Sequence, residues 1–122
     1  MATNCKLIIG YTDHTNWWNE TQAFYRHYDG YTEAIIPLLK KFVTAEKGVD
    51  IEAMNDAMEY DGNKWEELEN SYDGVTRPDY IYYIDESDRG EIKCTVLEDS
   101  LDFSKHYGIS NYNVKMELIL ND

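Results

Sequence analysis

Five short stretches of the chain alternate apolar and polar residues with a period of two, and one long stretch between the second and third of them does not. The alternating segments are CKLIIGY (5–11), QAFYRH (22–27), YIYYID (80–85), EIKCTVL (91–97) and NVKMELIL (113–120). Successive side chains of a strand point to opposite faces, so Ile92, Cys94 and Val96, and then Val114, Met116, Leu118 and Leu120, each line one face. TDHTNWWNE links the first pair of strands and ESDRG the third and fourth. EDSLDFSKHYGISNY (98–112) is a long loop before the last strand, of the kind that carries function in small domains.

Between the second and third strands the period becomes helical. Ile35, Leu38, Leu39, Phe42 and Val43 recur at i, i+3, i+4, i+7 and i+8, with Thr32 and Glu33 at the start and Gly48 at the end. Pro37 cannot donate inside a helix, which predicts an irregular first turn and a regular part beginning near Pro37. Asp50 reads as the N-cap of a second helix with Ile51, Met54, Ala57 and Met58 on one stripe, broken at Asp61–Gly62 and resumed through NKWEELEN. The predicted class is α+β, an antiparallel β-sheet with an inserted helical hairpin. The 122 residues suit one domain: an N-terminal β-hairpin over 1–31, the helical hairpin over 32–70 and C-terminal strands over 71–122.

The chain carries 24 Asp and Glu against 11 Lys and Arg, a net charge of −13. Long nucleic acids are held mainly through their phosphates and are excluded as partners. The residues from Glu46 to Asp73 hold ten acids against Lys47 and Lys64, so the second helix reads as an acidic arm whose narrow apolar stripe needs a partner. Pairing of two arms in a homodimer, or in a larger homo-oligomer, is the expected solution. No apolar run reaches the roughly 20 residues of a membrane span, and no export signal opens the chain, so a cytosolic protein with Cys5 and Cys94 reduced and buried is expected.

Candidate chemistry concentrates in FYRHYDGY (24–31). A strand would send Phe24, Arg26 and Tyr28 to one face and Tyr25 and His27 to the other, then turn at Asp29–Gly30. An arginine fork suits a phosphate, an aromatic ring a base, and a carboxylate a ribose. Taken singly, each residue has an ordinary structural role: Asp29–Gly30 as a turn, Arg26 paired with an acid, His27 as a satisfied polar group. Their clustering is what points to a ligand. A second stretch, NSYDGVTRPDYIYY (70–83), combines Tyr72, Arg77, Tyr80, Tyr82 and Tyr83, although tyrosines are also good strand formers. Trp17 and Trp18 suit a partner anchor or a lid, or core packing. His27 with Asp29 could make an acid–base pair for a hydrolase, but the sequence has no nucleophile motif, glycine-rich phosphate loop or metal-ligand spacing. Binding without catalysis, and without a cofactor, is expected.

The order of hairpin, YRHYDGY, helical hairpin, tyrosine-rich strand and final strands resembles the phage Thoeris anti-defence proteins of the first type. These are small cytosolic sponges that bind the cyclic ADP-ribose isomer made by bacterial TIR-domain immune enzymes. The resemblance implies sequestration of that signal without cleavage in the host cytoplasm, homodimers or larger assemblies, and ligand pockets where protomers meet. It extends to a second ligand class, cyclic oligonucleotides, at a separate site. Arg26, His27, Asp29 and Tyr31 match the motif and become the first candidates for the pocket. By position and chemistry alone, Arg77 would face a phosphate, Tyr80 or Tyr82 would stack on adenine, and Asn111 would bond a base edge or ribose. The alternative is an acidic inhibitor that mimics DNA and binds a basic host defence protein through residues 46–73.

Overall fold

In the computed structural model, residues 3–10, 22–69, 78–86, 90–101 and 112–121 are described. They form strands β1 (Cys5–Gly10) and β2 (Gln22–Arg26), helix α1 (Thr32–Lys41), a small hairpin of β3 (Val43–Thr44) and β4 (Gly48–Val49), and helix α2 (Ile51–Asp56). Strands β5 (Glu66–Leu68), β6 (Tyr80–Asp85), β7 (Lys93–Asp99) and β8 (Tyr112–Ile119) follow. The class is α+β, as the change of period predicts. Six strands make one sheet in the order β5-β2-β1-β6-β7-β8, antiparallel at every pairing except β1 with β6. That parallel pair needs a long connection between its strands, and β2, both helices and β5 lie within it.

The central strands β1 and β6 are buried on both faces, which their apolar runs require. On one face Leu7, Phe24, Tyr82 and Val96 pack with Ile35 and Leu39 of α1, Met54 of α2 and Trp65. On the other, Ile8, Ile81, Tyr83 and Leu97 form a smaller cluster. Cys5 and Cys94 are buried free thiols. No helix among the described residues is long and apolar enough to cross a membrane.

The helical hairpin departs from expectation in three ways. Helix α1 starts at Thr32 and carries Pro37 inside it, with the first-turn amides of Ala34 and Ile35 bonded to the Tyr31 carbonyl. Pro37 is tolerated because it and Glu33, whose carbonyl it leaves without an N–H donor, both face solvent. Gly48 does not end α1, which stops at Lys41; it adopts φ +69° in the β3–β4 hairpin, where a Cβ would collide with the Glu86 carboxylate. The third departure is the largest. Asp50 does cap α2, accepting the Ala53 N–H at 3.0 Å, but the helix ends at Asp56 and does not resume over residues 64–69. Instead Asp61–Asn63 makes a single 3-10 turn and Glu66–Leu68 pairs with Tyr25–Ala23 as an edge strand, since backbone pairing with β2 outweighs the helix propensity of three residues.

The segment therefore folds back onto its own sheet. Met54 and Trp65 lie in the main core and Ile51 packs against it. The uncovered arm that motivated self-association does not exist.

One further shift alters the last strand. Val96 pairs with Met116 but Leu97 with Val114, so Lys115 is an extra residue at a β-bulge. Val114 is thereby moved to the face opposite Met116 and Leu118, and strict alternation through 114–120 is broken.

Candidate ligand-binding site

The segment after β2 is a corner fastened from below. At the end of β2, Arg26 is 4% exposed, and its Nε donates to the Tyr28 carbonyl at 2.8 Å, folding the chain over its own side chain. Asp29 takes φ +55°, a left-handed conformation that aspartate tolerates better than most residues. The Gly30 N–H donates to the Thr3 carbonyl at 2.8 Å, and the buried Tyr82 hydroxyl donates to the Gly30 carbonyl at 2.6 Å. A Cβ on Gly30 would stand 2.9 Å from the Asn4 carbonyl carbon, so only glycine permits this approach. Half of the motif thus builds the corner. His27, Tyr28, Asp29 and Tyr31 face outward from it.

The corner is tied to the turn before β5. The Tyr28 N–H donates to the Gly62 carbonyl at 3.1 Å, Asn63 Nδ2 donates to Asp29 Oδ2 at 3.3 Å, and the Tyr28 ring lies where a side chain on residue 62 would be. Asn55 of α2 clamps the next residues, accepting from the Trp65 N–H at 2.6 Å and donating to the Trp65 carbonyl at 3.0 Å. The Trp65 indole then packs beside the Arg26 guanidinium, 5.8 Å from its central carbon.

Beside this corner opens a cleft of about 490 Å³ lined by Tyr25, His27, Asp61, Gly62, Lys64, Trp65 and Glu66. His27 Nδ1 shares a hydrogen bond with the Tyr25 hydroxyl at 3.1 Å, and its ring stands edge-on to Tyr28 at 4.4 Å. Lys64 lies 3.6 Å from Asp61, an exposed pair weak enough for a ligand to rearrange. The cleft combines the Tyr25 and His27 rings with lysine and imidazole donors and with the Asp61 and Glu66 carboxylates, while Trp65 in its wall is buried.

A second cleft, of about 320 Å³, is lined by Thr3, Tyr31, Asp79, Tyr80, Glu98, Asp99 and Leu101. Its carboxylates are already in use. Asp79 accepts the Asn4 N–H at 3.2 Å, Asp99 accepts the Leu101 N–H at 2.9 Å, and Glu98 faces Lys115 at 3.6 Å. The bulge also places the Lys115 ammonium 5.1 Å from the centre of the Tyr80 ring.

The sequence candidates are therefore divided. His27 lines the first cleft, Asp29 braces its rim through Asn63, and Arg26 lies beneath it against Trp65. Tyr31 and Tyr80 belong to the second cleft. Tyr82 is fully buried under the corner and cannot stack on a base, because its period-two position points it into the main core. Arg77, Asn111, Trp17 and Trp18 lie outside the described residues. Asn55, Lys64 and Trp65 were missed, because a helical reading of 50–70 placed them on an arm; the turn signal at Asp61–Gly62, just before a tryptophan, was their trace in the sequence.

Burial pushes the Cys5 thiol pKa up, and the Cys94 pKa up to about 12, so both remain thiols at neutral pH. No group of three His, Cys, Asp or Glu among the described residues could hold a metal ion. Compared with protein-family models, curated proteins and solved structures, the chain finds no match in any of the three.

Proposed function

We propose that this protein binds a small signalling nucleotide, a cyclic ADP-ribose isomer, in the cleft beside the β2–α1 corner, and that it holds this ligand without cleaving it. The observation that carries the reading is the lining of that cleft, where Tyr25 and His27 supply stacking faces and Lys64 a cation in a chain of net charge −13, with the buried Trp65 in its wall. Base stacking is tolerant of sequence and contributes about 1–3 kcal/mol per base. Remote acids are screened beyond about 8–10 Å at physiological salt, so local donors decide whether an anion is accepted. A ligand of roughly 35 heavy atoms held at nanomolar strength, about −12 kcal/mol, needs about −0.35 kcal/mol per atom, which an enclosing cleft supplies without covalent chemistry.

The anti-defence role in an infected bacterial cytoplasm is proposed on the resemblance of the YRHYDGY motif, as is assembly into homodimers or larger oligomers. With the arm folded onto the sheet, self-association has no support from an uncovered stripe, and sedimentation at micromolar concentration tests it directly. A second reading, inhibition of a basic protein by DNA mimicry, is favoured by one observation: Glu52, Asp56, Glu59, Asp61, Glu66 and Glu67 are all exposed along one continuous stretch. Charge reversal at Glu52, Asp56 and Glu59 separates the two. Sequestration survives it, whereas mimicry is abolished.

The deciding experiment incubates the protein with a cyclic ADP-ribose isomer, denatures it by heat and analyses the released ligand by chromatography. The expected result is an unchanged molecule at no more than one equivalent per site. A linear or hydrolysed product accumulating beyond one equivalent would show turnover and replace sequestration with catalysis.

A further inference from the structure

Two buried polar groups have no hydrogen-bond partner, and they belong to two residues in contact with each other. Arg26 Nη1 and the indole N–H of Trp65 are both buried donors without an acceptor, on residues each 4% exposed. They belong to the one guanidinium–indole contact at 5.8 Å beneath the first cleft. Among the described residues no carboxylate closes an ion pair with Arg26. A buried cation without a partner is costly, and a buried donor left unbonded costs about as much as a lost hydrogen bond. The rest of the surroundings is fully specified: the Trp65 backbone is clamped twice by Asn55 and Arg26 Nε is committed to Tyr28. The unused donors are therefore local to these two side-chain ends.

We propose that Arg26 and Trp65 form an oxyanion site under the cleft, and that it takes a phosphate-type oxygen, with Arg26 Nη1 and the Trp65 indole N–H as its donors. That the oxyanion is a nucleotide's phosphate rests on the reading of the cleft given above; that an oxyanion binds here does not. Guanidinium N–H groups and anionic oxygen make the stronger class of hydrogen bond, and the indole can only donate. Neither donor atom is open to solvent in this structure, so entry requires the Trp65 ring to shift while its clamped backbone stays in place. Trp65 both lines the cleft and packs beside the Arg26 guanidinium, so its ring is the group whose shift would admit an oxyanion from one to the other. Among the described residues, those lining the second cleft hold no buried unbonded donor.

The test is thermal melting and calorimetry of the full chain with sodium pyrophosphate, against sodium chloride of equal ionic strength and against sodium acetate. Pyrophosphate is expected to raise the melting temperature above both controls. Trp65→Phe keeps an aromatic ring and removes the donor, and is expected to weaken pyrophosphate binding about ten- to hundredfold, the scale of one hydrogen bond to a charged group. Arg26→Lys is expected to weaken it further, and if that variant fails to fold, Trp65→Phe alone decides. Equal melting temperatures in pyrophosphate and chloride, an equal response to acetate, or unchanged binding by Trp65→Phe would each overturn the site. A cyclic ADP-ribose isomer that binds but is not displaced by pyrophosphate would refute the placing of its phosphate at this site and leave sequestration standing. Pyrophosphate binding in a protein that ignores the nucleotide would do the reverse.

Discussion

The two clefts flank the same corner of the fold and differ in what their polar groups still have to give. In the cleft beside β5, two donors beneath the surface are unbonded, and the lysine is spent only on an exposed carboxylate. In the cleft beside β7, Asp79 and Asp99 accept from the Asn4 and Leu101 N–H groups, and Glu98 faces Lys115 in a partly exposed pair. Both contain tyrosines from the sequence motifs. The difference teaches that residue type alone does not separate the two clefts, whereas unsatisfied hydrogen-bonding capacity does, because a donor left unbonded in the free protein gains more from an arriving acceptor than one already spent.

The largest effect that can be aimed at this contrast is Trp65→Ala. It empties the wall between the first cleft and the core, and a stability loss of about 3–5 kcal/mol is expected by denaturant unfolding. Tyr80→Ala, at the half-buried wall of the second cleft, should cost clearly less. Equal losses would mean that the first cleft is no better integrated into the core than the second.

A smaller effect sharpens the corner that both clefts share. Tyr82→Phe removes the hydroxyl that satisfies the Gly30 carbonyl and leaves a buried acceptor, at a cost of about 1–3 kcal/mol. Wild-type stability in that variant would show that the corner does not depend on Tyr82.

The smallest effect lies away from both clefts, at Glu86, whose carboxylate accepts the Val49 N–H at 3.2 Å. Desolvation raises its pKa above the usual carboxylate value, with the Val49 hydrogen bond opposing. The folded chain thus holds this proton more tightly than the unfolded one. The resulting stabilisation is complete below the ordinary glutamate range and is lost as pH rises through the raised folded value. Glu86→Gln should therefore gain up to about 0.5 kcal/mol over wild type at pH 7, with the gap closing near pH 4 in melting curves. A gap that widens on acidification would reverse the sign of the account.

What could be read from the sequence follows the range of the interactions involved. Ile35 and Leu39 declared the buried face of α1 through spacing alone, the β2, β7 and β8 segments declared themselves through alternation, and β1 and β6, read as alternating, are apolar runs buried on both faces. Strand β5 was invisible, because Glu66–Glu67–Leu68 becomes a strand only by pairing with Tyr25–Ala23, about 40 residues earlier. The bulge at Lys115 was hidden for a related reason, since a one-residue slip in pairing leaves no mark in composition. At the site, the clustering in YRHYDGY was legible, but its division into buried Arg26 and outward His27 was clear only in part, because the chain leaves β2 right after Arg26. Trp65, the residue that joins core to cleft, was masked by its acidic neighbours.

Hydrogen–deuterium exchange with and without a saturating cyclic ADP-ribose isomer tests the central claim most directly, because it reads both clefts in one experiment. Ligand binding in the first cleft should slow exchange at residues 25–29 and 61–68 and leave residues 79–80 and 98–101 unchanged. Protection confined to residues 79–80 and 98–101, or none at either cleft, would contradict it.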